Sequence, residues 1–277
     1  MRKFLKYIIT SGLLLSSISL TGVEVSAVES IDEANGVRDS LYETIGSQTE
    51  IGNSEEIIDT LASSFDEKNK DFKSGKSFTF MLFQAGPEES SVLADAEVNY
   101  DDQQALNDII ALFESNSGTG STSQEVAYSK NYDPYLIYTT ESEDSDWIEQ
   151  EFPNPDEFTM NPDYFGLVGG VSSIFENAQN KDFDYAIYET DSTYLFYSED
   201  TNLSVMDAFG AEYSLELDNV TEEDLSKEVI ISLDKDSLFL NSVYFNMEGV
   251  VNVEIHTVVD NHGEYDVDHF ETFIESL

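Results

Sequence analysis

The stretch Glu228-Val229-Ile230-Ile231-Ser232-Leu233-Asp234-Lys235-Asp236-Ser237-Leu238-Phe239-Leu240-Asn241-Ser242-Val243-Tyr244-Phe245-Asn246-Met247-Glu248-Gly249 decides the fold. Two runs rich in Val, Ile, Phe and Tyr flank Asp234-Lys235-Asp236-Ser237. β-branched and aromatic residues suit a pleated surface, and Asp and Ser bond their own backbone in turns. The reading is strand, turn, strand. Glu248-Gly249 supplies a second turn, and Val250 to Val259 follows as a third strand.

The same grammar holds upstream. Phe183 to Tyr188 and Thr193 to Tyr197 form a hairpin around Glu189-Thr190-Asp191-Ser192. Leu203 to Phe209 reads as a short helix and Tyr213 to Leu217 as a strand. Strands at this regular spacing indicate one antiparallel sheet. Further back, Ser77-Phe78-Thr79-Phe80-Met81-Leu82-Phe83 is an aromatic strand. Gly86-Pro87-Glu88-Glu89 is a turn, and Val92 to Tyr100 a second strand. Val126 to Tyr128, Tyr135-Leu136-Ile137-Tyr138-Thr139 and Asp146-Trp147-Ile148-Glu149 add three more. Pro153, Pro155 and Pro162 make the next stretch an irregular loop.

Helical periodicity appears in four places. Val37, Leu41, Ile45, Ile57, Ile58, Leu61 and Phe65 recur at spacings of three and four between Ser30 and Glu67. Gly52-Asn53-Ser54 breaks this segment in two, with Ser54 as a helix start. Tyr164 to Ala178 carries Phe165, Leu167, Val168, Val171, Ile174 and Phe175. Asp102 to Phe113 reads as a helix through Leu106, Ile109, Ile110 and Phe113. Ser115 to Ser123, with Gly118 and Gly120, reads as a flexible loop.

The N-terminus is an export signal by pattern. Arg2, Lys3 and Lys6 precede an apolar run from Tyr7 to Leu20, and Val25-Ser26-Ala27 offers a cleavage site after Ala27. The apolar run falls short of the roughly 20 residues needed to span a bilayer. The expected organisation is a signal peptide over 1–27, a helical or flexible segment over 28–54 and a single domain over 55–277. The expected destination is the outside of a Gram-positive cell, with no transmembrane segment in the mature chain.

Composition excludes several functions. The chain of 277 residues holds 12 Lys+Arg against 57 Asp+Glu, a net charge of -45, and no cysteine. So few cations leave no basic footprint for nucleic-acid phosphates. Without cysteine there is no disulfide, thiolate nucleophile or Cys-ligated metal. Disorder is excluded too, because 40% of residues are hydrophobic and 12% aromatic. The acids coat an ordinary core.

No catalytic signature occurs. The chain lacks Gly-x-Ser-x-Gly, a Walker loop, a Rossmann fingerprint and His-Glu-x-x-His. The histidines are His256, His262 and His269. Asn261-His262-Gly263 is turn chemistry rather than a metal centre. The acidic loops Glu141 to Asp146 and Asp218 to Asp224 lack the EF-hand order. No cofactor or metal is expected, and the chain reads as a non-enzyme.

Taken in order, these elements resemble the lipoprotein-carrier fold of LolA, LolB and LppX-like proteins. Tyr135 to Tyr138 followed by Asp146-Trp147-Ile148 carries the likeness, as do the Phe183 to Tyr197 hairpin and the closing pair around Asp234-Lys235. It covers about Glu55 to Asp268, and its motifs are patterns rather than fixed residues. Asp102 to Phe113, read as a helix, and the missing cysteine depart from the family. The resemblance implies an α+β fold: a strongly curved antiparallel half-barrel whose helices cover the concave face. It also implies an apolar cavity for an acyl chain, with Phe78, Phe80, Leu82, Tyr138, Trp147, Phe165, Phe175 and Phe196 as its lining. Each of these would equally serve as plain core. The expected partner is a lipid or hydrophobic small molecule held by an exported binding protein. The alternative is an exported immunity protein whose acidic surface takes a basic secreted toxin, since such a charge steers association with cations.

Overall fold

The computed structural model describes residues 31–69, 74–85, 88–100, 106–117, 120–129, 136–140, 148–151, 167–199, 226–249 and 251–260. The signal segment, the proline-rich loop, Trp147, Phe165, the segments 203–209 and 213–217, His262 and His269 lie outside them. The described helices are α1 (Ile31–Ser47), α2 (Ser54–Asn69) and α3 (Leu167–Asn180). The strands are β1 (Ser74–Ala85), β2 (Glu88–Tyr100), β3 (Leu106–Ser117), β4 (Gly120–Ser129), β5 (Leu136–Thr140) and β6 (Ile148–Glu151). They continue with β7 (Ala186–Glu189), β8 (Thr193–Ser198), β9 (Ser226–Asp234), β10 (Leu240–Glu248) and β11 (Val251–Asp260).

The eleven described strands join one sheet in the order β6-β5-β4-β3-β2-β1-β11-β10-β9-β8-β7. Every pairing is antiparallel. Among the described residues the sheet is open, with β6 and β7 at opposite ends of the order. The expected α+β architecture, a curved open antiparallel sheet with helices on it, is what the chain adopts. The meander read from Glu228 onward is β9, β10 and β11, and the aromatic strand beginning at Ser77 is β1.

Two expectations are corrected. The segment from Asp102 to Phe113, read as a helix, is strand from Leu106: that part is β3, paired with β2 on one side and β4 on the other, and 102–105 lie outside the described residues. Its spacings of three and four came from a short apolar run, which fits either period. Backbone bonds to two neighbours outweigh that weak local preference. The segment from Ser115 to Ser123 is not a long loop either. Ser117 pairs with Gly120, so β3 and β4 form a hairpin whose strands are two residues apart in the chain. Ser115, Ser117, Ser121, Thr122 and Ser123 belong to strands, and Thr119 lies outside the described residues. With β3 in the ladder, the departure from the carrier fold at this point disappears.

Register sorts the helices onto faces. Cross-strand partners share a face and neighbours in sequence do not. Phe78 pairs with Val258, which pairs with Ser242. Tyr244 pairs with Ile230, one step along the same face. Phe78, Val258, Tyr244, Ile230 and Leu195 form one buried cluster with Ala34, Val37 and Leu41 of α1. The intervening residues form the other face: Phe196 pairs with Ile231 and Ile231 with Val243. There Phe65 of α2 meets Phe175 of α3 edge to face at 5.2 Å, and Phe175 meets Phe196 at 5.4 Å. Helix α1 therefore packs on one face, and the α2–α3 pair on the opposite one. The central strands are buried from both sides.

Helix boundaries follow local chemistry. The carbonyl of Asn53 accepts from Glu56 and Ile57, which places Asn53 at the cap and Ser54 just inside α2. The Ser54 hydroxyl instead donates to the Ile51 carbonyl at 2.7 Å. Helix α3 ends with Lys181 at φ 64°, and Asp182 N–H reaches back to the Asn177 carbonyl, a Schellman closure. Between α1 and α2, Ile51 N–H donates to the Ile187 carbonyl at 3.0 Å, so this connection lies along edge strand β7.

The β9–β10 turn is locked from outside. Leu238 takes a left-handed φ of 62°, a conformation costly for a residue with a Cβ. The Asp234 carboxylate accepts from the backbone of Asp236 and Ser237. Asn69, 4% exposed at the end of α2, donates to the Leu238 carbonyl and accepts from Leu240 N–H. Removing that amide leaves two buried backbone groups without a partner. Asn69→Ala is expected to destabilise the protein by about 3 kcal/mol, measured by urea unfolding. An effect under about 0.5 kcal/mol would show that the clamp is dispensable.

Candidate functional site

The expected lining residues do not all share a surface. Phe78 is 1% exposed at the centre of the α1 cluster, with Phe80 partly buried against it. Leu82, two further along β1, is also partly buried. Phe175 and Phe196 are fully buried on the α2–α3 side. Tyr138 holds a register position in β5 opposite Ala127 and Glu149. Trp147 and Phe165 lie outside the described residues. So Phe78, Phe80 and Leu82 come together, Phe175 and Phe196 come together, and the sheet separates the two groups.

The two surfaces differ in how completely they are filled. On the α2–α3 side Phe65, Phe175, Phe196, Val229, Ile231 and Val253 are at 0% exposure. That is finished core. On the α1 side Ile45, Phe80, Leu93, Tyr188 and Tyr197 pack against the cluster while staying partly open. Large apolar side chains left half-covered beside a helix make a strip that a ligand can finish burying. Helix α1 covers the middle with small contacts, Ala34, Val37 and Leu41, and leaves its flanks open.

A polar seam runs along this strip. Arg38 of α1 places Nη1 3.1 Å from Glu254 Oε1 on β11. Its guanidinium also lies 5.9 Å from the centroid of the Tyr244 ring. Nε and Nη2 donate to Asp39 Oδ1, at 3.2 and 3.1 Å. One turn later Tyr42 donates to Glu228 at 2.6 Å and meets Tyr244 edge-on at 6.0 Å. Tyr197 donates to Glu199 at 2.9 Å.

Burial raises the phenol of Tyr244 to about 12, with the Glu254 charge adding to it. Burial likewise raises Tyr42 and Tyr197, helped by the carboxylates they donate to. All three phenols stay protonated and act as donors or as ring faces.

His256 sits inside this seam. It pairs across strands with Phe80 and Tyr244, and its ring meets Tyr244 at 90°. It is 1% exposed, and neither ring nitrogen has a hydrogen-bond partner. Burial first, then the nearby Arg38 charge, lowers its pKa to about 3. The imidazole is neutral at physiological pH. Among the described residues no group of three or more His, Asp or Glu is placed to hold a metal ion. No helix among them is long and apolar enough to cross a membrane.

Sequence reasoning missed Arg38, Tyr42, Glu228, Tyr244 and Glu254. One signal was available. Arg38 is the only basic residue between positions 28 and 67, and Tyr42 follows it at helical spacing.

No family model matches the sequence, and no curated protein matches it. Among solved structures the chain is similar to LprF from Mycobacterium bovis, at 13% identity over 76% of this chain and 95% of that one, with a TM-score of 0.42. It is also similar to a DUF1329 family protein from Desulfovibrio piger, at 10% identity over 79% and 98%, with a TM-score of 0.27. A third is a putative outer membrane lipoprotein-sorting protein domain from Vibrio parahaemolyticus, at 7% identity over 78% and 96%, with a TM-score of 0.26. The fold itself is established by strand order and register.

A neutral buried histidine gives a pH signature. The folded pKa lies below the unfolded value, so folding favours the unprotonated ring. Its contribution is complete above about pH 6.5 and falls as pH drops through that value. From pH 7 to pH 5 the loss amounts to about 2 kcal/mol from this residue. His256→Leu is expected to remove that part of the slope in paired denaturation curves. An unchanged slope would mean that the ring is not buried neutral.

Proposed function

We propose that the chain is an exported, non-catalytic binding protein of the cell envelope. It holds a hydrophobic ligand, a lipid or acyl chain, between the curved sheet and its helices. The observation that carries this reading is the unfinished strip beside α1. Phe80, Leu82, Leu93, Tyr188 and Tyr197 keep part of their apolar surface open, whereas Phe65, Phe175, Phe196, Val229, Ile231 and Val253 under the α2–α3 pair are fully buried. Covering such surface is worth roughly 25 cal/mol per Å², so an acyl chain laid there gains several kcal/mol.

Its export rests on the N-terminal pattern, charged residues followed by an apolar run and Val25-Ser26-Ala27. Non-catalytic action rests on chemistry. Among the described residues the phenols in the seam stay protonated and His256 is sealed from solvent, so neither offers a base to the strip. The seam supplies orientation instead.

Two measurements test the reading. N-terminal sequencing of protein recovered from culture medium is expected to begin at Val28, and a retained Met1 would overturn export. For binding, the neutral probe N-phenyl-1-naphthylamine is expected to bind the purified protein and to be displaced by a monoacylglycerol. The double variant Phe80→Ser/Leu93→Ser should weaken both by about tenfold or more, the loss of two apolar contacts. No binding of either compound up to its solubility limit would sink the ligand reading.

A further inference from the structure

The strip beside α1 ends in groups that recognise a positive charge. Glu254 lies directly opposite Leu82 across the β1–β11 ladder, and Phe80 lies opposite both His256 and Leu93. An apolar track, Leu82, Phe80 and Leu93, thus abuts a carboxylate and an aromatic face, those of Glu254 and Tyr244. The protein's own Arg38 fills that end, pairing with Glu254 at 3.1 Å and standing over the Tyr244 ring.

Arg38 has a second home. Two of its nitrogens already bond Asp39 on its own helix, at 3.2 and 3.1 Å, and its side chain is 26% exposed. It can swing toward Asp39 and vacate the Tyr244 face while keeping an anionic partner. Among the described residues the other basic group on this face of β1, Lys76, is held by Asp95 at 3.7 Å. Beneath the vacated place lies His256, buried, with both nitrogens unpartnered.

We infer that the ligand is a cationic amphiphile, an alkyl chain bearing an amine or quaternary ammonium. Its head takes the place of the Arg38 guanidinium between Tyr244 and Glu254, and its chain runs over Leu82, Phe80 and Leu93. This rests on the reading above, that the α1 side of the sheet holds a hydrophobic ligand. A cation over an aromatic ring beside a carboxylate is stabilised by both, and more strongly once water is excluded. An anionic head would have to draw Arg38 away from both Glu254 and Asp39 and would then face their carboxylates, in a chain of net charge -45.

The test compares three amphiphiles of equal chain length below their micelle concentrations: decyltrimethylammonium, decyl maltoside and decyl phosphate. Calorimetric titration of the purified protein at 0.15 M salt is expected to rank the ammonium tightest and the phosphate weakest. Glu254→Gln should weaken the ammonium about tenfold and leave the maltoside unchanged. Arg38→Met, which keeps the stem and removes the competing charge, should tighten the ammonium several-fold. Glu56→Gln, an exposed acid on α2, controls for diffuse attraction and should change nothing.

If the maltoside and phosphate bind as tightly as the ammonium, or if Glu254→Gln and Glu56→Gln weaken it equally, the headgroup inference is overturned and the hydrophobic-ligand reading stands. If none of the three binds, both fall. Circular dichroism of each variant verifies folding. Should Glu254→Gln fail to fold, the Arg38→Met result decides alone: tighter ammonium binding supports the inference, and unchanged or weaker binding overturns it.

Discussion

Burial of the central strands from both sides is the constraint on which the rest depends. An antiparallel sheet often keeps one wet face, and its sequence then alternates cleanly. Here β1, β9, β10 and β11 must satisfy helix α1 above and the α2–α3 pair below. Val229, Ile230 and Ile231 are consecutive and all at 0% exposure. The polar residues admitted to this layer are mostly small: Ser77, Thr79, Ser232, Ser242 and Thr257 are all buried. Thr79 and Thr257 satisfy one another across the ladder at 2.9 Å. Small hydroxyl residues fill the pleat without holding the helices away.

The same constraint explains why one face is finished and the other is not. The α2–α3 pair brings two Phe rings, Phe65 and Phe175, onto Phe196 and closes the surface. Helix α1 brings Ala34, Val37 and Leu41, which are smaller and fewer. Beside these, half-buried Arg38 and exposed Tyr42 are polar-tipped and reach for Glu254 and Glu228. A helix with a narrow apolar stripe covers a narrow band of sheet. The surface beyond that band, with Phe80 and Leu93 on one flank and Tyr188 and Tyr197 on the other, remains for something else to cover.

Much of the architecture was legible in the chain. The meander was readable from Val229-Ile230-Ile231 and Val243-Tyr244-Phe245 because turn residues at Asp234 to Ser237 and at Glu248-Gly249 punctuate it. Helices α1 and α2 were readable from Val37, Leu41, Ile57, Leu61 and Phe65. Strand β3 was misread because Leu106, Ile109, Ile110 and Phe113 fit a helix locally, and the ladder bonds to β2 and β4 that decide the matter leave no trace in that spacing. The division of the helices between faces was hidden for a different reason. Register decides it, and a shift of one residue would exchange the faces. Phe78 and Phe196 look alike in sequence and sit on opposite sides of the sheet. The polar seam was hidden as well, because Arg38 and Glu254 are 216 residues apart.

The connection between α1 and α2 carries a consequence for the chain's behaviour in company. An outermost strand offers unsatisfied backbone groups to any other strand that drifts by, and sheets grow that way into aggregates. At β7 the Ile187 carbonyl is already taken by Ile51 of the chain's own helix connection. That end of the sheet is stoppered by a segment tied at both ends to packed helices, so a visiting strand must compete with a tethered one. The partly open apolar strip beside α1 therefore does not adjoin an equally open backbone edge at β7.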